Sequence, residues 1–183
     1  LVYNYIQSRF YRAPEVVLGA NYDTEIDIWS VGCIICELLM GKPLFSAQNE
    51  VELLFKIIET IGQPPPSIIN MQPNFCAKPT LKHTSSSLTI SKSSPIKGKP
   101  NKNAATTDEI VRGNKFFSPE GRLLHSKTPP TPLKTPISSL IKTSDKNFID
   151  FISKCLEWEK EKRITAAAAL SHPWFQSLQT PEK

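Results

Sequence analysis

The chain has 183 residues, 39% of them hydrophobic and 21% charged, with a formal net charge of +5, which is enough chain for one folded core. Residues 64–143 hold 12 Lys and Arg against three acids, and the flanks hold 10 basic and 14 acidic residues, so the basic balance describes a middle stretch and not a basic domain. Twelve of the 16 prolines fall in that same stretch, which excludes it as ordinary core; no apolar run is long enough to span a membrane, and no signal peptide is expected.

In chain order, the first fifteen residues, LVYNYIQSRFYRAPE, set Arg9 four positions and Arg12 seven positions after Tyr5. Residues 24–40, TEIDIWSVGCIICELLM, predict a strongly hydrophobic helix with Thr24 as N-cap, Asp27 reaching back as in a capping box, and Gly41 as the stop. Ile26, Trp29, Ile34, Leu38 and Leu39 leave it little polar surface, so it is expected to be buried nearly all round, at the centre of something larger than this chain. A second helix is predicted from Gln48 to Ile61, with Leu53, Leu54, Ile57, Ile58 and Ile61 at helical spacing, ended by Gly62 and three prolines.

The low-complexity basic stretch 63–143, rich in Ser, Thr, Lys and Pro, cannot bury enough apolar area to offset its ordering entropy and is expected to be a mostly disordered insert. Two apolar islands, Phe116-Phe117 with Leu123-Leu124, and Ile137 to Ile141, are the segments able to dock onto the helices. A third helix is predicted from Asp145 to Glu157, capped by Ser144, and a fourth from Ala166 to Leu170, capped by Thr165 and stopped by Pro173. The units are therefore 1–62, the insert 63–143, the last helices 144–178 and a tail 179–183, and the ordered part is all-helical.

Cys33 and Cys36 form a C-x-x-C, but inside the apolar run IWSVGCIICELLM and without a second pair or a His cluster. Core packing is the expected role, with no metal site and no disulfide framework. A reducing intracellular compartment, cytoplasm or nucleus, is the corresponding expectation.

Four motifs in order carry a resemblance. Arg9-Phe-Tyr-Arg12-Ala13-Pro14-Glu15 resembles the end of a protein-kinase activation segment. Asp27-Ile-Trp-Ser-Val-Gly32 resembles the motif opening the central helix of the kinase C-lobe, and Gly41-Lys-Pro-Leu-Phe45 the turn after it. Cys155-Leu-Glu-Trp158, then Arg163-Ile-Thr165 and Ser171-His-Pro-Trp174, resemble the end of the domain. Tyr3-Asn-Tyr5-Ile-Gln-Ser-Arg-Phe-Tyr-Arg is similar to the dual-specificity tyrosine-regulated kinases (DYRK) of the CMGC group, with the homeodomain-interacting and splicing-factor kinases as neighbours. The match covers about residues 1–62 and 144–175 and not the insert.

The resemblance implies the C-terminal helical part of a kinase C-lobe, mainly α, in a protein Ser/Thr kinase that also autophosphorylates on tyrosine. Tyr5 would be the phosphosite and Arg9 and Arg12 its ligands, since an arginine fork can pair two phosphate oxygens at once. Ser8, Phe10 and Tyr11 would line the substrate site. Glu15 would pair with buried Arg163, Asp27 would accept backbone hydrogen bonds from the catalytic loop as a buried anion, and Trp29 would be structural. The Gly-rich loop, strand lysine, His-Arg-Asp and Asp-Phe-Gly are absent from the 183 residues, so ATP and Mg would bind the full-length parent and not this fragment. Its partners would be protein substrates and the N-lobe and catalytic-loop half of the domain. A pseudokinase or scaffold with the same fold is the alternative.

Ser94, Ser118, Thr128, Thr131 and Thr135 each precede a proline in the insert and are candidates for proline-directed phosphorylation. The +9 stretch lacks the interleaved aromatics of a single-strand binder, so nucleic acid is not an expected partner.

Overall fold

The computed structural model describes residues 6–70 and 115–179, with side chains through Gln176. Candidates Tyr5 and Ser94, and residues 71–114 of the insert, lie outside the described residues. The helices are α1 (Pro14–Val17), α2 (Glu25–Met40), α3 (Glu50–Ile61), α4 (Pro66–Ile69), α5 (Ile137–Ile141), α6 (Lys146–Cys155), α7 (Ala166–Leu170) and α8 (Pro173–Gln179), with 3-10 turns at Arg9–Tyr11 and Lys160–Lys162. Among the described residues there is no strand, only an isolated antiparallel bridge between Phe117 and Leu123.

The centre of the packing is α2, which meets α5, α6 and the Arg9–Tyr11 turn. Its buried face is Ile26, Trp29, Gly32, Cys33 and Cys36. A Cβ on Gly32 would stand 2.8 Å from Cys155 Cβ, so only glycine lets α2 and α6 approach this closely. Gly41 closes the helix at φ 69°, its N–H donating to Glu37 O at 2.7 Å.

Two expectations for this helix are corrected. Thr24 lies in the right-handed helical region and its side chain makes no cap bond, because a capping hydroxyl needs extended backbone to reach back to N2 or N3. Nor is α2 covered all round. Val31, Ile34, Leu38 and Leu39 are 40, 45, 79 and 53% exposed, because the described elements pack against one side of it.

In α3, Asn49 Oδ1 accepts from Glu52 N–H while Glu52 Oε2 accepts from Gln48 N–H, a reciprocal cap. Leu53, Leu54, Ile57 and Ile58 are wholly buried. The cap of α6 is Asp145, one residue beyond the predicted Ser144; its Oδ1 accepts from the N–H groups of Asn147 and Phe148. Thr165 Oγ1 caps α7 as expected, accepting from Ala168 N–H at 3.2 Å. Pro173 ends α7 but also begins α8, a helix the sequence reading did not anticipate, since proline is well suited to a first helical position. Rings of Phe148, Phe151, Trp174 and Phe175 lie 4.8–5.1 Å apart and join α8 to α6.

Both apolar islands of the basic stretch dock. Phe116, Phe117 and Leu123 are buried in a small hairpin closed by Leu124 N–H to Phe116 O and Ser118 N–H to Arg122 O. Its tip, Gly121, has φ 81° and lies where a Cβ would meet Ile69 of α4 at 2.8 Å. Ile137 and Ile141 bury one side of α5. The described parts of the stretch, 63–70 and 115–143, are therefore ordered where the composition predicts disorder, because a few large apolar side chains anchor segments whose average composition is polar.

Candidate substrate-facing loop and its anchors

The loop Ile6–Glu15 is held by polar tethers. Gln7 adopts φ 61°, a left-handed conformation uncommon for a residue with a side chain. Its amide explains the persistence of that conformation: Oε1 accepts from Ala13 N–H at 3.2 Å, and Nε2 donates to Ile26 O at 3.0 Å and Ser30 Oγ at 2.8 Å. Ser30 Oγ in turn donates to Tyr11 O at 2.9 Å. One glutamine thus ties the loop to the first turns of α2.

Arg12 is 3% exposed and carries the backbone of the same loop. Its Nε donates to Ile6 O and its Nη2 to Gln7 O, each at 3.1 Å, while Nη1 meets Glu50 Oε1 at 3.3 Å. Arg9, the other candidate phosphate ligand, is half-buried, and its Nε is buried with no acceptor among the described residues. The two arginines expected to act alike therefore stand differently.

Ser8 is exposed and Phe10 half-buried. Tyr11 donates its phenol to Glu37 Oε2 at 2.6 Å, and this bond, with some burial, raises the Tyr11 pKa. Tyr11, Glu37, Ile34, Leu38 and Gly41 line an open groove of about 410 Å³ on the uncovered side of α2.

At the far end of the loop Glu15 and Arg163 form a bidentate ion pair, Nη1 to Oε1 at 2.8 Å and Nη2 to Oε2 at 3.1 Å, with side chains 1% and 0% exposed. The same guanidinium donates to Glu25 O and Glu157 O and lies over the Trp29 ring at 5.3 Å. Trp29 is fully buried and stacks on Phe45, centroids 5.9 Å apart. Hydrogen bonds to several carbonyls are what a buried pair needs if its Coulomb attraction is to offset desolvation. Asp27, expected to be a buried anion, is instead exposed in the first turn of α2, and no described residue donates to its carboxylate. The catalytic-loop donors that would bury it do not occur in this sequence.

The remaining candidates divide by their surroundings. Ser118 sits in the hairpin turn, its Oγ accepting from Arg122 N–H and hydrogen-bonding the Glu120 carboxylate, which lowers the Glu120 pKa. Thr128 and Thr131 are exposed, and Thr135 is partly covered. Cys33, Cys36 and Cys155 are free and buried; burial raises the Cys33 pKa strongly and pushes Cys36 and Cys155 up to about 12. They are protonated core residues at neutral pH. Among the described residues no group of three or more His, Cys, Asp or Glu could hold a metal, and no helix is long and apolar enough to cross a membrane.

Sequence reasoning missed Gln7, Ser30, Glu37 and Glu50 as parts of this site. Glu37 had a signal, as the one acid in the run GCIICELLM. Gln7 had none, since its role depends on a backbone angle.

Comparison with known proteins agrees with this architecture. A protein kinase domain model matches residues 2–175. The chain is 38% identical over 174 residues to dual specificity tyrosine-phosphorylation-regulated kinase 3 of Macaca fascicularis, covering 95% of this chain and 28% of that protein. It is 38% identical to kinase mbk-2 of that type from Caenorhabditis elegans, covering 96% and 19%, and 40% identical to serine/threonine-protein kinase ppk5 of Schizosaccharomyces pombe, covering 95% and 17%. The chain thus spans less than a third of the length of these relatives. With helices and no strand among the described residues, and the Ala-Pro-Glu segment pinned to a distant arginine, the chain belongs to the protein kinase family, as the helical C-terminal part of the C-lobe, and within it resembles the DYRK kinases.

Proposed function

We propose that this chain provides the substrate-facing loop and folding anchors of a protein Ser/Thr kinase of dual specificity, one that transfers the γ-phosphate of ATP to protein substrates and to its own Tyr5. The observation that carries the reading is the loop itself. Gln7, Arg12 and the Glu15–Arg163 pair fix its backbone at both ends and leave Ser8 exposed between them. A loop that must orient a peptide for in-line transfer needs such fixed backbone, because positioning is most of what a kinase contributes.

MgATP finds no fit among this chain's own residues, which include neither the Gly-rich loop nor the metal-binding Asp-Phe-Gly. The chain's part is to hold and orient the peptide. The uncovered side of α2 (Val31, Ile34, Leu38 and Leu39) supports a further partner, the remainder of a kinase domain packed against it.

The switch reading follows from the two arginines. Arg9 has an unspent, desolvated Nε and is the first ligand for a phosphate on Tyr5. Arg12 is already engaged by Glu50 and by the Ile6 and Gln7 carbonyls, and is the second ligand. The test is transfer by the full-length protein to a Ser/Thr peptide in MgATP, with phosphates located by mass spectrometry. Phosphate appears on the peptide and on Tyr5, and Tyr5→Phe or Arg9→Ala each lowers transfer about tenfold or more, the worth of one or two charge-assisted hydrogen bonds. A full-length protein that transfers no phosphate would instead be an interaction module on this fold.

A further inference from the structure

The segment Thr131-Pro-Leu-Lys-Thr135-Pro136 crosses the carboxyl end of α3 as a strap. Leu133 N–H donates to Ile58 O at 3.3 Å, beside the capping N–H of Gly62 at 3.0 Å, and Thr135 N–H donates to Glu59 O at 3.0 Å, so the basic stretch supplies donors to the last turn of a helix, where carbonyls run short of intrahelical partners. The Glu59 carboxylate, 16% exposed, pairs with Lys134 Nζ at 3.6 Å. Beyond the strap Ile137 is buried, and strap, α3 and α6 border a half-open pocket of about 240 Å³ lined in part by Ile61, Leu133, Ile149, Leu156 and Trp158. This docking is thin: Leu133 is 56% exposed and held at φ 55°, a left-handed conformation that a branched side chain disfavours.

We propose that Thr135 is a phosphorylation site and that its phosphate releases the strap from α3. Thr135 precedes Pro136, the step a proline-directed kinase accepts. In the docked strap its N–H is committed to Glu59 O, so a kinase, which takes its substrate as free extended chain, acts on the open form. The transfer forms the Oγ–P bond and breaks the bond from the γ-phosphorus of ATP to its bridging oxygen. ADP leaves, and the hydroxyl proton passes to the kinase's base.

The modified residue now carries close to two negative charges. Redocking would bring them to the negative end of a 12-residue helix and beside Glu59. Lys134 is the cation paired there, and it cannot neutralise both the phosphate and Glu59. The start of α5 offers opposing N–H groups, but α5 has five residues and follows Pro136, which has no N–H. Repulsion therefore outweighs capture. Thr128 and Thr131 are exposed, and neither donates its N–H to α3, so phosphate there leaves the strap docked. The latch requires only ATP, Mg and a proline-directed kinase, so it stands or falls separately from the activity of the parent protein.

The test uses the full chain carrying Thr128→Ala and Thr131→Ala, incubated with a proline-directed kinase and MgATP, with phosphate located by mass spectrometry and amide hydrogen exchange followed by residue. Thr135 becomes phosphorylated, and the amides of Leu133 and Thr135 exchange about tenfold faster or more while those of Ile152 and Cys155 are unchanged, the pattern of a local opening. Adding Glu59→Gln makes the acceleration smaller. The proposal is overturned by no phosphate on Thr135 even in mild urea, by phosphate with unchanged Leu133 and Thr135 protection, or by slowed exchange at Ile137 and Ser138 from capture by α5. Loss of protection throughout α6 also overturns it, because the strap would then not be a separable element.

Discussion

The loop Ile6–Glu15 and the α6–α8 corner are both firmly held, by different physics. The loop depends on directed polar bonds: Arg12 and Arg163 each serve several carbonyl or carboxylate oxygens, and the Gln7 amide bonds Ile26 O, Ser30 Oγ and Ala13 N–H. The corner depends on rings and aliphatic side chains, Phe148, Phe151, Ile152, Trp174 and Phe175, packed face and edge. Polar tethers specify one backbone path and fail when a donor is lost. Apolar packing tolerates exchange of shape for shape, and its strength follows buried volume.

The sharpest way to break the contrast is Arg163→Met, which leaves Glu15 buried without a partner and should cost about 3–5 kcal/mol in urea unfolding. Adding Glu15→Leu should recover most of that loss, since the penalty is the uncompensated charge. Arg163→Lys should fail as well, because an ammonium cannot reproduce the fork. In the corner, Ile152→Leu should cost less than about 1.5 kcal/mol by the same measurement. If Arg163→Lys proves as mild as Ile152→Leu, the distinction between the two regions collapses.

A smaller effect lies at the border of the corner. Asp145→Ala removes the acceptor for two N–H groups at the start of α6 and should cost about 1 kcal/mol. Smaller still is the acid response of Asp150, whose pKa is lowered by its bonds to Lys154 and then to His172. A depressed carboxylate stabilises the fold above its ordinary value of 3.8 and loses that contribution as pH falls through its lowered one. Asp150→Asn should therefore flatten the stability curve below that value, by less than about 1 kcal/mol for a pair this exposed.

Much of the corner was legible because periodicity and caps are local signals. The Thr165 cap marks α7, and outside the corner the i, i+3, i+4 spacing of Leu54, Ile57 and Ile58 marks α3. Ser144 and Asp145 both carry a capping oxygen, and only the path of the chain selects the second. Hydropathy marks α2 as apolar all round, but it does not say which elements cover it, so the exposure of Leu38 and Leu39 was not readable. The loop was legible through motif order rather than spacing. Even there Arg9 and Arg12 look equivalent as letters, and they differ because the left-handed turn at Gln7 directs carbonyls toward one of them.

The three buried thiols give the molecule a chemical clock for its own interior. With Cys36 and Cys155 held up to about 12 and Cys33 raised by the same burial, almost no thiolate is present at neutral pH in the closed core. A soluble thiol reagent must wait for α2 and α6 to part before it can react at these positions. Its rate at Cys155 therefore times the opening of the contact that Gly32 makes possible, separately from any opening of the strap.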